Sequence, residues 1–88
     1  MKYKRIIEML EEDTLYTPAS IAYFAEDHDM LTSKTAEDRK AERHRIRISM
    51  GRFSNNHQFP DSGDGMVTLE GQAPTPAWYG WRWQAAYD

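Results

Sequence analysis

Thr35-Ala-Glu-Asp-Arg-Lys-Ala-Glu-Arg-His-Arg-Ile-Arg-Ile-Ser-Met-Gly-Arg-Phe53 admits two backbones, and the architecture turns on which one it adopts. It opens as a helix. Thr35 can cap, and Asp38 stands three residues on, where a capping box places Glu or Gln. Glu37 and Asp38 put negative charge at the positive end of the helix dipole. Arg39, Arg43 and Arg47 follow at i, i+4 and i+8 and stack along one side. Lys40 and His44 sit one residue further round. Ile46, Met50 and Phe53, at i, i+4 and i+7, make an apolar stripe beside that ridge. The competing pattern lies in Arg45-Ile-Arg-Ile-Ser-Met50, which alternates polar and apolar as a strand does. On a helix, Ile46 and Ile48 point to different sides, so one of them is poorly buried. The strong helix formers Ala, Glu, Arg and Lys lead straight into the segment and favour the helix, although Gly51 weakens its last turn. One helix then offers a core face and a basic face.

Outward from this stretch, the chain of 88 residues has room for one core, so residues 1–88 form a single domain. Three Trp, five Tyr and three Phe supply large apolar area where aliphatic residues are scarce. Without Cys, neither disulfides nor thiolate metal sites staple the fold. Glu8 and Glu11 interrupt any signal-peptide core at the start, and no run approaches the roughly 18 apolar residues of a membrane span. These features lead us to expect a soluble, cytoplasmic protein. The net charge is −3, but it is unevenly spread: Lys34 to Arg52 holds seven of the eleven basic residues and three acids, and so carries +4. A single cationic face can still attract phosphate, because screening confines each patch to a reach of about 8–10 Å.

The remaining segments read in order as follows. Lys2 to Asp13 is a first helix with Tyr3, Ile6, Ile7 and Leu10 on one face and a Lys4–Glu8 surface pair. Leu15-Tyr16 is a very short strand. Thr17-Pro18 starts a second helix, Thr as cap and Pro at the first position. Ile21, Ala22, Phe24 and Ala25 line its inner side, and it ends near Asp27 to Asp29. Met30 to Lys34 connects to the Thr35 helix. Ser54 to His57 reads as a turn or helix exit, Phe59-Pro60 as an anchor and Asp61 to Gly65 as a loop. Met66 to Glu70 reads as a strand, Gly71 to Ala77 as a loop, and Trp78 to Gln84 as a second strand. On that strand Tyr79, Trp81 and Trp83 face one way, Trp78 and Arg82 the other.

The order helix, short strand, helix, helix, hairpin resembles a winged helix-turn-helix domain: an α+β fold with a three-helix helix-turn-helix core and a C-terminal two-stranded β-hairpin wing. Leu15-Tyr-Thr-Pro-Ala-Ser-Ile-Ala22 resembles the start of the scaffold helix, Thr35 to Phe53 the recognition helix and Met66 to Gln84 the wing. The resemblance implies that the third helix enters the DNA major groove and that the hairpin tip touches the phosphate backbone. Two features depart from the pattern. The connection between helices two and three is longer than the usual three or four residues. The wing tip, Glu70 to Ala77, holds no Lys or Arg.

The expected function is therefore that of a small, regulatory, double-stranded-DNA-binding protein using Arg39, Lys40, Arg43, His44 and Arg47. Arg pairs with guanine O6 and N7, and Lys and other Arg contact phosphates. Operator binding in this class often uses a dimer, so a homodimer is a candidate. The alternative is a protein-interaction module of the same fold, with Trp78 and Arg82 exposed beside the Pro74-Thr-Pro76 loop. His28, His44 and His57 show no ligand spacing, and Asp61 to Asp64 lacks the calcium-loop pattern, so no metal or cofactor is expected. No nucleophile–base arrangement or phosphate loop stands out, and we expect no enzyme.

Overall fold

The computed structural model describes residues 3–57, 65–67 and 75–87. Helix α1 spans Lys4–Met9, strand β1 Leu15–Tyr16, helix α2 Pro18–Asp27 and helix α3 Ala36–His57. Strands β2, Gly65–Val67, and β3, Thr75–Tyr79, follow, and helix α4, Gly80–Tyr87, ends the described chain. The fold is α+β, with a small antiparallel sheet in the order β1-β3-β2. β3 is shared along its length: Tyr79 and Trp78 pair with Leu15 and Tyr16, while Ala77, Pro76 and Thr75 pair with Gly65, Met66 and Val67.

α1 stops at Met9, short of the Asp13 at which the expected helix ended. Glu11, Glu12 and Asp13 would put three negative charges at the negative end of the helix dipole. Leu10 accordingly turns to an extended backbone. Carbonyls at this end accept from far along the chain: Gln84 Nε2 donates to Ile7, whose carbonyl also takes the Leu10 N–H, and to Glu8 and Leu10, at 3.2, 3.3 and 2.8 Å. α2 begins where Thr17-Pro18 directs it. Thr17 Oγ1 accepts from the Ser20 N–H at 3.1 Å and Ser20 Oγ from the Thr17 N–H at 2.8 Å, a reciprocal cap that satisfies two donors. At its far end Asp29 takes a left-handed φ of 56°. Its N–H reaches the Glu26 carbonyl and that of Met30 the Ala25 carbonyl, closing the helix in a Schellman turn.

The 45–50 segment is helical. Thr35 Oγ1 accepts from the Asp38 N–H at 3.1 Å, and the helix then runs through Gly51 and the expected exit at Ser54, ending at His57. Ile46, Met50 and Phe53 are buried, and Ile48 is the isoleucine left exposed. Burying a side chain such as Ile46 or Met50 contributes about 1.5–3 kcal/mol. They join Ile6, Ile7, Leu10, Tyr16, Ile21, Ala22, Ala25, Leu31 and Trp83 in one core.

The second hairpin strand differs from expectation. Thr75–Ala77, read as loop, are strand, and the chain leaves the sheet at Gly80 to form α4. The cause is a backbone close approach. The Gly80 N–H donates to the Thr14 carbonyl at 2.9 Å and the Trp81 N–H to that of Glu12 at 3.2 Å, which redirects the chain. A Cβ on Gly80 would lie 2.1 Å from the Glu11 carbonyl oxygen. Trp81 and Trp83 thus part company instead of sharing a sheet face: Trp83 is fully buried and Trp81 is 40% exposed. The Trp83 indole Nε1 donates to the Tyr16 and Trp78 carbonyls at 3.3 and 3.1 Å, the partners a buried Trp requires. Tyr87, one turn on, packs against Phe53 with ring centroids 4.4 Å apart. The Phe59-Pro60 anchor, the Asp61–Asp64 turn and the strand and loop assigned to 68–74 fall outside the described residues.

Candidate nucleic-acid interface

The side chains of α3 divide by angle around its axis. With 3.6 residues per turn, Arg39 and Arg43 lie about 20° and 60° from the direction of Ile46, and Arg47 about 100°. The first two therefore lean toward α2 rather than into solvent. Arg39 Nε and Arg43 Nη1 both donate to one oxygen of Glu26, at 3.2 and 2.6 Å, with 29% and 22% of their side chains exposed. Arg39 Nη1 also reaches the Ser33 carbonyl, and the Arg43 guanidinium lies 5.2 Å over the Tyr23 ring. The expectation that Arg39 and Arg43 stand free on a basic ridge is thus corrected: they clamp α3 to α2 through a shared carboxylate.

The outer arc carries the rest. Lys40 and His44 lie about 120° and 160° from Ile46 on one side, Arg52 and Ile48 at matching angles on the other, and Arg47 and Arg45 near the edges. All six are exposed. Arg47 Nη2 is 3.1 Å from His44 Nδ1. A guanidinium has only donors, so Nδ1 accepts and the imidazole turns an Nε2–H outward. Lys40, Arg45, Arg47 and Arg52 form no ion pair with a carboxylate among the described residues. α3 contains no Asp or Glu after Glu42.

Glu42 itself is spent internally. It is buried, and its carboxylate accepts from the Thr32 and Ser33 N–H groups and the Thr32 hydroxyl at 2.9–3.3 Å. Burial alone would raise its pKa, but these bonds outweigh that and hold the carboxyl below its ordinary range. The long connection before α3 is thereby tied to its second turn.

Arg45 and Arg52 were missed in the sequence reading. The signal was present: both sit about 80° or more from every member of the Ile46–Met50–Phe53 stripe, whereas the i, i+4 spacing of Arg39 and Arg43 shows only that they share a side. Trp78 and Arg82, the alternative contact pair, do not form an exposed face. Trp78 is half-buried against the core, edge-on to Trp83 at 5.5 Å. Arg82 is half-buried too, with its guanidinium 4.6 Å over the exposed Trp81 ring. His28 stacks on Phe24, and among the described residues no group of three or more His, Asp or Glu is placed to hold a metal. No described helix is long and apolar enough to cross a membrane. Comparison of the chain with protein-family models, with curated proteins and with solved structures finds no match.

Proposed function

We propose that this is a winged-helix protein of regulatory type that binds duplex DNA with the outer arc of α3. The element order and the seating of β1 beside β3 support the fold reading, with α4 an addition to it. The observation that carries the function is the exposure of Lys40, Arg45, Arg47 and Arg52 without a carboxylate partner among the described residues. An α-helix 10–12 Å across fits a major groove about 12 Å wide. Lys40 to Arg52 spans about 18 Å along the axis, so the end cations reach phosphates while His44 and Ile48 face base edges.

Fluorescence anisotropy with duplex DNA at two salt concentrations tests this. Four phosphate contacts give a log–log slope of about −3.6, and so roughly a hundredfold loss of affinity between 50 and 200 mM salt. Arg52→Gln and Arg47→Gln should each reduce the slope by about 0.9. Arg43→Ala should lower thermal stability and leave the slope alone. Absence of binding at low salt, or a slope that neither Arg47→Gln nor Arg52→Gln moves, ends the proposal.

One observation favours a second reading, a protein contact through α4: Trp81 is a large exposed aromatic carrying a stacked guanidinium. The contact residue would then be Trp81, not Trp78. A partner retained at high salt and lost in Trp81→Ala supports it.

A further inference from the structure

We propose that the protein binds a small amphipathic monoanion, an aliphatic or aryl carboxylate, in the groove between α1 and α3. The groove has a volume of about 620 Å³, within the 300–1,000 Å³ of small-molecule sites. Its apolar surface comes from Ile6 and Met9 on α1, Met30 and Leu31 in the connection, and Ile46 on α3. Met9 is 45% exposed, an apolar side chain at the mouth that a hydrocarbon body would cover.

Unengaged hydrogen-bond donors select the head group. Each helical wall contributes a cation, Arg5 from α1 and Arg45 from α3, and neither is in an ion pair or hydrogen bond among the described residues. Two carboxylates also line the groove, Asp29 and Glu42. Glu42 keeps its charge but spends its oxygens on Thr32 and Ser33, so the two cations and two carboxylates balance. What the groove offers a ligand is the N–H donors of two unengaged guanidiniums against one free carboxylate acceptor, Asp29, which suits an accepting, carboxylate head. A carboxylate at the mouth meets a guanidinium able to bind it two-fold.

Arg45 belongs both to this groove and to the outer arc of α3. A ligand carboxylate that engages Arg45 withdraws it from phosphate, so ligand and DNA compete; this last step alone rests on the DNA-binding reading.

Octanoate and octan-1-ol, compared by calorimetric titration, are the probes. Octanoate should bind measurably tighter than the alcohol. Arg5→Gln and Arg45→Gln should each weaken octanoate about tenfold and leave the alcohol unchanged. Both residues are exposed, so the variants are expected to fold, which circular dichroism checks. Equal binding of acid and alcohol, unchanged affinity in both variants, or no heat with octanoate at millimolar concentration overturns the site. In a separate arm octanoate should weaken wild-type binding to duplex DNA at low salt. If DNA does not bind at all, the DNA reading fails and the octanoate titration still decides the groove.

Discussion

Two glycines have opposite surroundings and predict opposite outcomes. A Cβ on Gly51 would meet nothing within 4 Å, and the residue lies inside a helix, where Gly is worse than Ala by about 0.5–1 kcal/mol. Gly51→Ala should raise stability by about that amount in urea denaturation. Gly80→Ala pushes a methyl into the Glu11 carbonyl, and only backbone displacement relieves it. It should cost about 2–3 kcal/mol, as overpacking does. Near-UV circular dichroism should report the shift through Trp83, since Gly80 sets the start of α4. Gly80 also marks the limit of local reading. Trp78-Tyr-Gly-Trp-Arg-Trp83 fits a period of two, and what ends the strand is the backbone of residues 11–14, far away in the chain.

Among the elements, α2 and α3 were the most legible. Thr17-Pro18 and Ser20 settle the start of α2 among themselves, and the Ile46–Met50–Phe53 stripe identifies the core side of α3. Both signals act within a turn or two of helix. The Glu26 clamp was not legible, because its partners lie 13 and 17 residues from it and no periodicity links two helices before they dock. The bond between Glu42 and the connection was hidden for the same reason. It yields a pH prediction. A carboxyl whose folded pKa is depressed binds protons more readily in the unfolded chain. Its contribution is present above the ordinary Glu range and fades as pH falls through the lower folded value. Denaturation curves of wild type should weaken in that acid window, and Glu42→Gln should flatten this part of the profile. Glu42→Ala, which leaves the Thr32 and Ser33 N–H groups without their acceptor, should cost about 2–3 kcal/mol at neutral pH.

At the scale of the whole molecule, the charge separation visible in the sequence becomes a geometric one. The cations of α3 that remain outside the clamp stand on one outer arc, while Glu11, Glu12 and Asp13 lie exposed beside the start of α4. Tyr87 adds an alkaline limit. Burial pushes its hydroxyl up to about 12, so it is neutral in the folded chain where the unfolded chain has begun to ionise. Stability should hold below about pH 10, the ordinary Tyr value, and decline from there toward about 12. Tyr87→Phe should remove that part of the decline in a pH series of thermal melts.

Gln84 has a temporal consequence. Its amide holds the carbonyls of Ile7, Glu8 and Leu10 at the end of α1 across separations of 74 to 77 residues. A growing nascent chain therefore exposes an unfinished first helix until Gln84 has been synthesised. Such distant closure slows folding, since the entropy of a long loop is lost before the contact forms. Ribosome-stalled chains halted before position 84 should remain protease-sensitive throughout α1, and those long enough to release it should become resistant in a single step.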